Sequence, residues 1–92
     1  MFSLVNKKAV ITGGGSGIGK AIAVTFAASG AAVHVLELTT EAGADTAATI
    51  KAAGGSVTVH ACNVAIKDEV HKVFASIGAI DILVNNAGVA HI

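Results

Sequence analysis

Thr12 to Ala21 read TGGGSGIGKA, with five glycines among residues 13–19. A stretch this rich in glycine lets backbone N–H groups come close to an anion. Two chemistries fit the spacing. From Gly14 it spells G-x-x-x-x-G-K, which would set Lys20 on the outer phosphates of a nucleoside triphosphate and needs a hydroxyl at the next position for Mg²⁺. That position is Ala21, so the metal that neutralises the phosphates loses a ligand. From Thr12 it spells T-G-x-x-x-G-x-G, a tight turn after a strand. Such a turn brings a pyrophosphate against the backbone and against the positive N-terminal end of the next helix. The G-x-G-x-x-G spacing fits at no register.

A dinucleotide site also asks for an acid at the end of the second strand, where it can accept hydrogen bonds from the adenosine ribose. Glu37 stands eighteen positions after Gly19, against about twenty expected. A solvated carboxylate is the plainer reading of Glu37, and its place at a strand end favours the ribose. Asn85 and Asn86 divide more evenly, because asparagine suits turns for backbone reasons alone. His34 and His60 fall at similar depths on adjacent strands, but no clustered ligand spacing makes them a metal site. Packed or hydrogen-bonded imidazoles are expected instead. His71 reads as solvated beside a helical stripe, His91 has no reading, and Cys62 reads as a small buried hydrophobe.

The elements that must position these residues alternate. AVIT at 9–12 is a short apolar run ending in glycines, as a buried parallel strand does. Ile18, Ile22 and Phe26 then recur at i, i+4, i+8, one stripe of a helix stopped by Gly30. Residues 31–38 read as a second buried strand, and 40–53 as an Ala-rich helix closed by Gly54 and Gly55. Residues 56–62 read as a third strand. Val70, Val73, Phe74 and Ile77 mark a third helix ending at Gly78, and 81–88 form a fourth strand running into a turn. This alternation implies an α/β fold with a parallel sheet.

The 92 residues make at most one small domain. Hydrophobic residues are 53% of the chain and charged residues 13%, too apolar for a disordered segment and richer than so small a domain needs. The net charge of zero leaves no electrostatic footprint for nucleic acid or an anionic membrane. No signal peptide or membrane span is expected, and the single cysteine fits a reducing compartment, so the expected location is cytoplasmic.

TGGGSGIG, the acid at Glu37 and DILVNNAG, in this order and at these strand ends, resemble the N-terminal part of a short-chain dehydrogenase/reductase. The resemblance runs from KKAVITGG to NNAGVA. It implies a doubly wound Rossmann-type sheet in the order 3-2-1-4 and a nicotinamide dinucleotide cofactor. By similarity Gly13, Gly17 and Gly19 shape the pyrophosphate turn, with contacts from Ser16 and Ile18, and Glu37 takes the ribose hydroxyls. The family usually has an acid where this chain has Asn63; its side-chain oxygen can accept the adenine amino group without the charge, and Val64 offers its N–H to the ring. Asn86, Ala87 and Gly88 lie along the riboses, while Asn85 ties neighbouring strands. NAD is expected over NADP, because Glu37 would face a 2′-phosphate with like charge and all six basic residues are Lys.

The family's reaction is hydride transfer between the nicotinamide and an alcohol or carbonyl carbon, with Tyr, Lys and Ser as proton-transferring and positioning groups. The resemblance puts all three beyond NNAG, and this chain has no Tyr. Two readings follow: the chain is the cofactor-binding part of an oxidoreductase, with a small-molecule substrate only in the longer parent, or it is a stand-alone nucleotide-binding or interaction module without turnover. Its end just after a strand that should lie mid-sheet favours the first. The same cut would leave ILV at 82–84 as an apolar free edge, so self-association is expected.

Overall fold

A computed structural model of the chain describes residues 3–87. Its elements are β1 (Lys8–Thr12), α1 (Gly17–Ala28), β2 (Ala32–Glu37), α2 (Ala44–Ala52), β3 (Ser56–Ala61), α3 (Lys67–Ile77) and β4 (Ile82–Asn85), with a 3₁₀ turn at Glu41–Gly43 leading into α2. The four strands make one parallel sheet in the order β3-β2-β1-β4, as the resemblance implies.

Alternation along each strand divides the core into two layers. Ala9, Ile11, Val33 and Val35 point to one face, where Ala23 and Ala27 of α1 and Ile50 of α2 cover them. Val10, Leu36 and Cys62 point to the other, under Ile77 and the half-buried Val70, Val73 and Phe74 of α3. Ile11 and Ile50 have 0% and 1% exposure, and burying a side chain of that size stabilises by about 1.5–3 kcal/mol. The Lys8 ammonium donates to the carbonyl of Ile77 at 2.6 Å, placing a cation at the C-terminal end of α3. Asp81 accepts from the Lys8 amide at 2.8 Å and so fastens the α3–β4 connection to β1.

Three expectations need correction. The buried stripe of α1 is Gly19, Ala23 and Ala27 rather than Ile18, Ile22 and Phe26. Small residues let the helix backbone approach the sheet; Ile22 and Phe26 flank the contact half-buried, and Ile18 is 68% exposed. Leu38 leaves the second strand, which ends at Glu37, and is equally exposed. The helix expected from residue 40 begins as the 3₁₀ turn and becomes α-helical only at Ala44.

Candidate functional site

All four parallel strands end on the same side of the sheet, and a cleft of about 510 Å³ opens there. The order of strand addition reverses across it: β2 and β3 lie to one side of β1, β4 to the other. Crevices at such switch points are where open α/β sheets bind ligands. The volume lies within the range of small-molecule sites.

The loop after β1 forms one wall. Gly13 turns the chain at φ +68°, and Gly19 lies directly beneath it. A Cβ on Gly19 would sit 2.1 Å from the Gly13 carbonyl oxygen, so only glycine lets α1 start this close under the loop. Ser16 precedes α1 in extended conformation without a side-chain cap, leaving the first-turn amides of the helix for whatever enters the cleft. Ser16, Gly17 and the exposed Ile18 line the cleft, whereas Gly19 supports it from below. Lys20 points elsewhere and forms an ion pair with Asp45 of α2. The lysine that a triphosphate loop needs is thus engaged between two helices.

Glu37 stands at the end of β2, and its Oε2 accepts the Gly15 amide at 2.8 Å. Leu36 and Leu38 beside it add apolar lining. At the end of β3, Asn63 and the partly exposed Val64 line the far side. The Asn63 Oδ1 already accepts the Ala65 amide at 3.0 Å in a local turn, and its amide donates to Glu69 at 2.8 Å. Cys62 closes the floor; burial, and then the Glu69 carboxylate, push its thiol up, so it is a neutral apolar group rather than a nucleophile.

At β4 the structure adds a residue whose side chain the sequence reading leaves without a role. The Thr12 hydroxyl accepts the amides of Asn86 and Ala87 at 2.9 and 3.0 Å and donates to the Asn85 Oδ1 at 3.1 Å. Asn86 in turn donates from Nδ2 to the Gly13 carbonyl at 3.1 Å. One hydroxyl therefore joins the glycine loop to the turn after β4. The only signal for it is the Thr that opens the glycine motif. Asn85 ties the strands as expected, Asn86 and Ala87 line the cleft, and Gly88 falls outside the described residues.

His34 and His60 lie diagonally across β2 and β3 on the α3 side, Nδ1 to Nε2 at 2.9 Å. They pair with each other. Among the described residues no three His, Cys, Asp or Glu side chains gather as a metal site would. The described lining of the cleft offers backbone donors, the Glu37 carboxylate, the polar side chains of Ser16, Asn63 and Asn86, and apolar walls.

A family model described as short chain dehydrogenase matches residues 7–92. The 7α-hydroxysteroid dehydrogenase of Escherichia coli K12 is 39% identical over an alignment of 89 residues that covers 92% of this chain and 35% of that one. Among solved structures, a 7α-hydroxysteroid dehydrogenase complexed with NADH and 7-oxo glycochenodeoxycholic acid superposes with TM-score 0.82 at 38% identity, over 91% of this chain and 34% of that one. A metagenomic short-chain oxidoreductase in complex with NADP superposes with TM-score 0.85 at 38% identity, over 92% and 40%. The chain thus spans little more than a third of these relatives.

Proposed function

The chain belongs to the short chain dehydrogenase family, and from that premise we propose that it is the cofactor-binding portion of an oxidoreductase acting on an alcohol or carbonyl compound. The observation that carries this reading is convergence. The uncapped start of α1, the Glu37 carboxylate and Asn86 all meet at one cleft on the β1/β4 switch point. Each suits one part of a nicotinamide dinucleotide.

In this reading Gly13, Gly17 and Gly19 shape the loop, and the stretch Ser16, Gly17 and Ile18 receives the pyrophosphate on the uncapped amides at the start of α1 and on the helix dipole. A Cβ at Gly17 would meet nothing within 4 Å, so that stretch of backbone is open to a ligand. Glu37 takes the adenosine ribose hydroxyls. Asn63 and Val64 flank the adenine, Asn63 with the acceptor capacity its turn leaves over. Asn86, Ala87 and Gly88 run along the riboses. When bound, the cofactor supplies or accepts the hydride; this chain's residues bind and orient it. A cytoplasmic location accords with the lone cysteine, and among the described residues no helix is long and apolar enough to cross a membrane.

The cofactor preferred is NAD. A 2′-phosphate would meet Glu37 with like charge, which costs on the order of several kcal/mol when desolvated. Ser16 stands where a basic residue would be needed, and the sequence has no Arg to clamp the phosphate. The relatives do not choose, since one is solved with NADH and another with NADP. Titration of both cofactors, followed by calorimetry, decides it: NAD is expected to bind tighter by about tenfold or more, and equal or tighter NADP would overturn the preference.

A further inference from the structure

The Glu37 carboxylate is not waiting free for a ribose. Its Oε2 holds the Gly15 amide at 2.8 Å, and that bond is one of two side-chain hydrogen bonds by which the second strand–helix unit grips the glycine loop. The Thr46 hydroxyl, fully buried, donates to the Gly14 carbonyl at 2.8 Å. The 3₁₀ turn presses on Gly15 so closely that a Cβ there would lie 2.1 Å from the Ala42 carbonyl oxygen and 2.7 Å from the Glu37 Oε2. Gly14 and Gly15 are therefore glycines for packing against β2 and the turn before α2. The loop residues that face the cleft are Gly13 and the stretch from Ser16 to Ile18.

We propose that Glu37 is also a positioning residue, which through Oε2 holds the Gly15 amide and sets the shape of the pyrophosphate loop while Oε1 remains for the ribose. Two properties of one side chain then separate. Reach makes the Gly15 bond, because an aspartate at this position is one methylene shorter and falls short of the loop. Charge makes the discrimination against a 2′-phosphate, because a glutamine reaches Gly15 and still accepts from it. The ribose half of this assignment rests on the function proposed above; the loop half does not.

The test uses Glu37→Asp and Glu37→Gln in the ¹⁵N-labelled chain. Hydrogen exchange of the Gly15 amide without any cofactor is read first, and NAD and NADP titrations second. Glu37→Asp is expected to speed Gly15 exchange by about tenfold or more, the scale of a hydrogen bond to a charged acceptor. It should weaken NAD while leaving NADP disfavoured. Glu37→Gln is expected to keep Gly15 protected within about threefold, as a neutral acceptor in the same place would, and to lose the preference for NAD. A Gly15 amide as well protected in Glu37→Asp as in the parent chain overturns the positioning role. If neither nucleotide binds the parent chain, the cofactor reading fails, yet the exchange comparison still decides whether Glu37 holds the loop.

Discussion

Thr12 shows how much a single hydroxyl organises. It accepts two amides from the turn after β4 and donates to Asn85, and it is 6% exposed. Thr12→Val keeps the shape and removes all three bonds, leaving two part-buried amides and one amide oxygen without a partner. The expected loss is about 1–3 kcal/mol, seen as a lower urea midpoint, together with weaker NAD binding because Asn86 and Ala87 lose their anchor. An unchanged midpoint would mean the turn is held by other means. Most of the residues that line the cleft are legible in the sequence, because glycines at set intervals mark the turn after a strand and an acid stands out at a strand end. The bonds of the Thr12 hydroxyl escape that reading, because the motif marks the threonine and not what its hydroxyl holds, and Leu36, Leu38 and Cys62 escape it, because an apolar wall residue has no spacing of its own. The Gly15–Glu37 bond escapes for a related reason: it depends on where the 3₁₀ turn brings β2's end against the loop.

Among the elements, the pairing of β2 with β3 holds a titratable contact. Burial, then His60 and Lys8, hold the His34 imidazole below its ordinary range, and burial does the same for His60. Both bind protons less readily folded than unfolded. The unfolded chain therefore takes up more protons as pH falls through the ordinary histidine value of about 6.5. The contribution of the pair is complete above that value and is lost progressively as pH drops toward the lowered folded values. Urea midpoints are expected to fall between pH 7.5 and 5.5, and the double variant His34→Gln, His60→Gln should flatten that slope. A slope unaffected by the double change would place the titration elsewhere. Strand and helix order was legible throughout, because periodicity and glycine punctuation survive without tertiary knowledge. The face that α1 buries was not: a stripe of Gly19, Ala23 and Ala27 looks weak beside Ile18, Ile22 and Phe26 until the close approach to the sheet is known.

At the scale of the molecule, β4 pairs with β1 alone among the described strands, and Leu83 on its α3-side face is 54% exposed. A polypeptide of these 92 residues by itself is expected to self-associate through that strand or the surface around it. Light scattering over a dilution series should show mass falling toward the monomer, and Leu83→Lys should shift the balance to monomer. A cooperatively melting monomer at roughly tens of micromolar would defeat the expectation. The same polypeptide, purified free of longer forms, should bind cofactor without oxidising any alcohol or reducing any ketone. The resemblance assigns proton transfer to a Tyr that it lacks, and a missing acid/base typically costs about 10²–10⁴ in rate. Measurable turnover by absorbance of the reduced cofactor would show another group doing that work. The bonds from Thr12 also set an order of events. Asn86 and Thr12 are 74 residues apart, whereas β1 finds β2 across a single helix, so the contacts that finish the cleft are among the slowest to form. A ribosome releases the glycine loop, β2 and β3 long before the residues that complete their site. Until β4 docks there is no finished cleft, and on the function proposed above a dinucleotide that binds the finished cleft would favour the docked state by mass action.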